Sequence, residues 1–180
     1  ALKYKNLGYD AGLIDMGDHF YIGQFLESYC NFRTDEYGGS FENRMRFAVK
    51  VVKEVRRRLG SDFILVGNMP GTNGMPRGPM MGLTYEESAQ FLKAIEPYVD
   101  IALIREADCH FPLEQKESET IPYAKKMKEM GVKIKMACAT PYMDLQKMDD
   151  AITSGSCDII MSARMFLCTD ELGRILETGE

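Results

Sequence analysis

Two histidines and a nearby tyrosine are the side chains of this chain best suited to proton transfer near neutral pH. His19 and His110 are its only histidines, and Tyr21 lies two residues after His19. Histidine titrates close to physiological pH, so a histidine beside a tyrosine can supply and relay a proton. Both histidines follow apolar runs that predict strands, which favours a catalytic role at strand ends. The alternative is structural: Tyr21 as a half-buried packing residue and His19 as an ordinary loop histidine.

Apolar runs that alternate with helical patterns indicate the elements that would position these side chains. The runs that predict strands are Ala11–Met16, Phe63–Gly67, Asp100–Ile104, Val132–Ala137 and Cys157–Met161. The predicted helices lie at Phe41–Leu59 after the N-cap Ser40, after the capping box Thr84-x-x-Glu87, at Thr120–Met130, and after Asp144. Such alternation predicts βαβ units with right-handed crossovers and a parallel sheet.

Periodicity leaves two architectures open for five parallel strands, an open doubly wound sheet or part of a (β/α)₈ barrel. No strand is followed by a Gly-x-Gly-x-x-Gly turn, which weakens the dinucleotide-binding version of the open sheet. In a barrel, catalytic groups lie on the loops at the C-terminal ends of the strands.

Composition excludes several classes of function. The chain has 180 residues, enough for one domain with a sizeable core, and its apolar content of 45% is ordinary for a globular protein. A net charge of −5 argues against a nucleic-acid surface, and no apolar run could span a bilayer. The five cysteines are dispersed without iron–sulfur or zinc spacing, so we expect reduced thiols, a cytoplasmic location and no metal site.

A charged turn around Gly38-Gly39 precedes the longest predicted helix. The glycines permit backbone conformations closed to other residues, so the pattern alone predicts a loop, a cap and an amphipathic helix. The whole string from Asn31 to Phe47, NFRTDEYGGSFENRMRF, follows shortly after Gln24-Phe25-Leu26. It resembles the fingerprint of the old yellow enzyme family, the FMN-dependent NADH:flavin oxidoreductases that include the bacterial 2,4-dienoyl-CoA reductases.

The resemblance runs from Tyr9 to Arg164 and implies an α/β fold, a partial (β/α)₈ TIM barrel. The five predicted strands correspond to the fourth to eighth strands of the family barrel, and the first three barrel strands have no counterpart. Residues 1–180 are therefore predicted to form a single partial-barrel domain, the C-terminal part of a larger barrel. Such an arc cannot close, and its open sheet edges could mediate self-association.

The resemblance also implies a catalytic pair. The dienoyl-CoA reductases use a tyrosine after the first of these strands as proton donor, and it corresponds to Tyr21 if one residue is deleted before Gln24. His110 corresponds, within one residue, to the histidine that works with that tyrosine. His19 falls on the second of two substrate-anchoring positions and is predicted to bind substrate. The first anchoring position is Met16, and the dienoyl-CoA reductases also carry Met-Gly at this point.

The resemblance also implies that the ends of the other strands hold FMN. The family usually places an arginine beside the N1–C2=O edge of the flavin, where negative charge gathers on reduction; here the position is Asn68, which cannot neutralise that charge. The family holds the phosphate on backbone N–H groups and an arginine, and Pro141 stands at one usual arginine position. The predicted cofactor-binding residues are Asn68, Cys138, Ala139, Thr140, Ala163 and Arg164.

Two functions remain open. The first is an FMN-dependent ene-reductase in which NADH or NADPH reduces the flavin, which then reduces an activated C=C bond of a small molecule. The second is a flavin-free, non-catalytic fragment or degenerate member that keeps only the scaffold; Asn68, Pro141 and the missing strands favour it. Neither implies a nucleic-acid or membrane partner.

Overall fold

The computed structural model describes residues 1–17, 20–69, 82–105, 118–140, 144–162 and 171–178. Its strands are β1 (Ala11–Asp15), β2 (Ile64–Asn68), β3 (Ile101–Ile104), β4 (Lys135–Ala139) and β5 (Ile159–Met161). Its helices are α1 (Leu2–Asn6), α2 (Tyr21–Leu26), α3 (Phe41–Leu59), α4 (Tyr85–Ile95), α5 (Thr120–Glu129), α6 (Leu145–Thr153) and α7 (Leu172–Thr178). The predicted alternation of strands and helices is confirmed. No helix within the described ranges is long and apolar enough to cross a membrane.

The five strands form one parallel sheet in the order β1-β2-β3-β4-β5. A doubly wound sheet reverses its strand order at a switch point, whereas a barrel adds each strand beside the previous one. Here the order never reverses, and α3 packs against α4 as α4 packs against α5. The architecture is therefore an open arc of a (β/α) barrel, and the doubly wound alternative is wrong.

The two faces of the sheet differ in what covers them. Alternate strand residues face the helices and are fully buried there, among them Leu65, Ala102 and Met136. On the opposite face, which would line the interior of a barrel, Leu13 is 52% exposed and Ile64 44% exposed. The hydrophobic core of the arc thus lies between sheet and helices, and the inner face is exposed in part, at Leu13 and Ile64 among others.

Helix starts follow the caps that the sequence predicts. The Ser40 hydroxyl accepts a hydrogen bond from the backbone N–H of Asn43 at 3.3 Å, and α3 is followed by Gly60, whose φ of 79° suits glycine. At the start of α4 the predicted capping box forms. The Thr84 hydroxyl accepts from the backbone N–H of Glu87, and the Glu87 carboxylate accepts from the backbone N–H of Thr84, each at 3.1 Å.

One buried arginine joins three helices. Arg44 of α3 donates to the backbone carbonyl of Leu26 at the end of α2 at 2.9 Å and forms an ion pair with Glu87 of α4. Its guanidinium also lies 5.1 Å from the centre of the Phe41 ring. These contacts set where α2 lies, and α2 begins directly beside the end of β1.

Candidate active site

Polar side chains meet where β1 and β2 end. Asp15 and Asn68 are register partners, so both project from the inner face of the sheet. The Asn68 side-chain N–H donates to Asp15 Oδ1 at 2.6 Å, and the backbone N–H of Gly17 donates to the same oxygen at 3.1 Å. Asn68 is only 1% exposed. The carboxylate of Asp15 therefore fixes the orientation of a buried amide at the C-terminal edge.

Arg105 brings a positive charge to this edge from the end of β3. A Cβ atom built on Gly17 would lie 2.9 Å from Asn68 Nδ2, 3.1 Å from Arg105 Nη2 and 3.2 Å from Asp15 Oδ1. All three groups thus converge on the space that glycine leaves free at position 17. The Arg105 guanidinium lies 5.7 Å from the centre of the Phe20 ring, a cation–π contact. We call Asp15, Gly17, Phe20, Asn68 and Arg105 the strand-end cluster.

Close packing of α2 against the end of β1 holds Phe20 in place. The backbone N–H of Phe20 donates to the Gly17 carbonyl at 3.2 Å. A Cβ on Gly23 of α2 would overlap that same carbonyl oxygen and would lie 2.9 Å from the Met16 carbonyl oxygen. Glycine at position 23 therefore permits the approach that places Phe20 over Arg105.

Two buried polar atoms at strand ends have no hydrogen-bond partner in the part of the chain that the structure describes. They are Oδ1 of Asn68 and Oγ1 of Thr140, and both residues are at most 4% exposed. Buried polar atoms are nearly always paired, so each is a place where a bound molecule could supply the partner. An amide oxygen accepts hydrogen bonds, so a ligand at Asn68 would present an N–H or O–H.

Tyr21, the predicted proton donor, lies in a different environment from its neighbour Phe20. It is the first residue of α2 and is 71% exposed. Its ring packs edge-on against Phe25 and Phe47, with centroid distances of 5.7 and 5.9 Å. No described contact joins Tyr21 to the strand-end cluster. Phe20, which sequence reasoning passed over, makes that contact instead.

The predicted phosphate-binding residues at the end of β4 divide between the two faces of the sheet. Cys138 is fully buried on the helix-facing side, where its thiol donates to the Thr120 carbonyl at 3.4 Å. Hydrogen bonding with the Cys157 thiol and burial together raise the pKa of Cys138, so the thiol stays protonated. Ala139 lies on the inner face, and Thr140 directly follows the strand. The Thr140 hydroxyl has no described hydrogen-bond partner, whereas the Cys138 thiol is already engaged.

The other predicted site residues lie outside the described residues: His19, His110, Ala163 and Arg164, together with Pro141. The structure thus brings Asn68 together with Asp15 and Arg105, which the sequence did not single out as site residues. Arg105 had a positional signal, because it is the first residue after an apolar strand. Within the described ranges, no group of His, Cys, Asp and Glu side chains is arranged to hold a metal ion.

Comparisons with known proteins agree on one family. A family model described as NADH:flavin oxidoreductase / NADH oxidase matches residues 1–179. Cinnamate reductase from Clostridium sporogenes is 31% identical over 186 residues, which cover 93% of this chain and 28% of that protein. Dimethylamine dehydrogenase from Hyphomicrobium sp. is 32% identical over 193 residues, or 99% of this chain and 25% of that protein.

A solved structure shows the same fold. A complex of 2-naphthoyl-CoA reductase with 2-naphthoyl-CoA matches with a TM-score of 0.85 and 25% identity, and the match covers 98% of this chain and 27% of that one. The chain therefore spans about a quarter of the length of these relatives.

Proposed function

Because the chain belongs to the NADH:flavin oxidoreductase / NADH oxidase family, we propose that it forms part of the flavin site of an FMN-dependent oxidoreductase. The proposed reaction uses NADH or NADPH to reduce an activated C=C bond of a small molecule. Similarity to cinnamate reductase over 93% of the chain supports a reductase of this kind. The flavin supplies the redox chemistry, and the chain's own residues bind it, orient it and shape its surroundings.

The strand-end cluster is the observation that carries this proposal. The pyrimidine edge of a flavin presents carbonyl oxygens beside a ring N–H. Asn68 Oδ1 is a buried acceptor without a described partner, and Arg105 presents guanidinium donors beside it. An N–H of the flavin would satisfy the amide oxygen, and a carbonyl would accept from the guanidinium. The residues present therefore fit the group that the family implies.

The phosphate end of the flavin is proposed to lie at the next strand ends, near Ala139 and Thr140. The Thr140 hydroxyl, which has no partner among the described residues, supports this, since a phosphate oxygen would accept a hydrogen bond from it. Ala163 and Arg164 stay predictions for the same group, and Cys138 contributes through packing.

Proton delivery by Tyr21 with His110, and substrate binding by His19, also stay predictions. Replacement of Tyr21 by phenylalanine removes the acidic proton and keeps the ring packed against Phe25 and Phe47. If Tyr21 donates the proton, this change should slow reduction of the C=C bond about 10²–10⁴-fold and leave flavin reduction by the nicotinamide unchanged. If Tyr21 only packs, both half-reactions should keep their rates.

Spectroscopy of the purified protein with FMN tests the proposed function. We expect a bound-flavin absorption spectrum that bleaches on anaerobic addition of NADH or NADPH and returns when cinnamate, a carboxylate-activated alkene, is added. Asn68→Leu should weaken FMN binding. Gly173→Ala should leave binding unchanged, because position 173 is exposed on α7 with open space around it.

Two results would contradict the proposal in different ways. Absence of FMN binding by the wild-type protein would support the flavin-free, scaffold-only alternative. Flavin that is bleached by dimethylamine but not by either nicotinamide would indicate a dehydrogenase, the class to which the similar Hyphomicrobium protein belongs.

A further inference from the structure

We propose that Arg105 is the group that neutralises the negative charge of the reduced flavin in this protein, from the end of β3. This inference rests on the proposed function. Neither the sequence motifs nor the comparisons identify Arg105 as a functional residue.

Strand register places Arg105 correctly for this role. Leu103 of β3 is the register partner of Asn68, and Arg105 follows Leu103 by two residues. Alternation along a strand therefore directs Arg105 to the same inner face as Asn68 and Asp15. The convergence of Asn68 Nδ2 and Arg105 Nη2 on the free space at Gly17 confirms that the two side chains lie side by side.

Asn68 itself cannot neutralise an anionic group. One N–H of its side-chain amide is engaged with Asp15 Oδ1, its oxygen is an acceptor without a described partner, and the amide carries no charge. Among the described residues at the C-terminal ends of the strands, Arg105 is the only cation. A flavin edge that gains negative charge on reduction would therefore find its donor and its counter-charge at Arg105.

The contacts of Arg105 with other described residues do not engage its N–H donors. Its side chain packs against the Phe20 ring, and a guanidinium over an aromatic face keeps its in-plane N–H groups directed outward. Within the described ranges, no carboxylate forms an ion pair with it; the nearby Asp15 accepts from Gly17 and Asn68 instead. Phe20 thus orients the guanidinium without neutralising it.

The test is a comparison of flavin affinity and reduction potential in three variants. Arg105→Met keeps an unbranched side chain and removes the charge, Arg105→Lys keeps the charge, and Arg57→Met removes an exposed arginine of α3 that pairs with Glu54. Each is loaded with FMN, and the dissociation constant and two-electron potential are measured.

Arg105 is exposed, so water screens its charge in part. We expect Arg105→Met to lose preference for reduced over oxidised flavin by about tenfold, because a cation in contact with the flavin edge would attract the negative charge added on reduction. For a two-electron couple, tenfold is a shift of about 30 mV to more negative potential. Arg105→Lys should recover most of the shift, and Arg57→Met should show none.

A wild-type potential in Arg105→Met would overturn the inference while leaving the proposed function standing. An unchanged potential with a raised KM for cinnamate would overturn it too, because the guanidinium would then bind the substrate carboxylate. Absence of flavin from the wild-type protein would overturn the proposed function and this inference together.

Discussion

Loss of the Arg44 guanidinium should destabilise the fold by detaching α2 and α4 from α3. The variant Arg44→Met keeps much of the apolar stem and removes the charge. It deletes the 2.9 Å hydrogen bond to the Leu26 carbonyl and the ion pair with Glu87. The Arg44 side chain is 6% exposed and that of Glu87 23% exposed, so the pair is shielded from water on one side only.

The expected loss follows from these contacts. Breaking a fully buried ion pair costs about 3–5 kcal/mol, and a hydrogen bond to a charged group contributes about 1.5–3 kcal/mol. Partial exposure of Glu87 lowers the first figure. Arg44 Nε is buried without a described partner, so its removal relieves a desolvation cost. We therefore expect Arg44→Met to lower the free energy of unfolding by about 2–3 kcal/mol.

Urea denaturation followed by circular dichroism measures this loss, and a double-mutant cycle with Glu87→Gln isolates the pair. The coupling energy between the two positions should be about 1 kcal/mol or more, because the residues are in direct contact. Arg57→Met, which breaks an exposed pair on the same helix, serves as the matched control and should leave stability unchanged. A loss below about 0.5 kcal/mol with additive single effects would refute this reasoning.

Two further perturbations test the packing and the electrostatics of the arc. Gly23→Ala should lower the melting temperature by several degrees, because the added Cβ would overlap the Gly17 carbonyl oxygen. Gly173→Ala places its Cβ in open space and should leave the melting temperature unchanged. Calorimetry measures both, and equal melting temperatures would show that α2 can shift freely. Burial opposes ionisation of Asp158, but the Met136 backbone N–H and two lysine ammonium groups outweigh it and lower the pKa of the carboxyl. Its stabilising contribution is therefore complete above the unfolded pKa of about 3.9 and is lost as pH falls through the lower folded pKa. Asp158→Asn should flatten the acid limb of stability against pH, and an unchanged limb would show that other carboxylates set it.

Apolar runs were sufficient to predict the strands, and the largest shift of a strand boundary has a clear cause. The run Val132–Ala137 predicts a strand that begins at Val132, but β4 begins at Lys135. The side chain of Glu96 accepts hydrogen bonds from the backbone N–H groups of Lys133 and Ile134. These N–H groups therefore bond to the residue that directly follows α4 rather than to a neighbouring strand, which local periodicity does not reveal.

Some charged residues of the fingerprint pair with residues close in sequence, and others pair with distant residues. Arg33 pairs with Asp35, whose carboxylate also accepts the Tyr37 backbone N–H at 3.1 Å. Alternating charges around a glycine turn predict such a local pair. Arg44 instead finds Glu87, which is distant in sequence and is brought near only when α3 packs against α4. The sequence thus indicates that the fingerprint is structural, but not which residues it joins.

The candidate site shows why aligning single residues with a family motif does not identify every residue of the site. Phe20 is the N-cap of α2 and Tyr21 its first residue. The Phe20 ring contacts Arg105, whereas the Tyr21 ring contacts Phe47, so an alignment that is wrong by one position assigns the wrong aromatic residue to the site. A positive charge can likewise reach one place from two neighbouring strands, because the inner-face residues of adjacent parallel strands lie side by side. Asparagine at position 68 therefore does not by itself remove the cation from this edge of the sheet. The residue two places beyond Leu103 brings a positive charge to the edge of the sheet at which Asn68 lies.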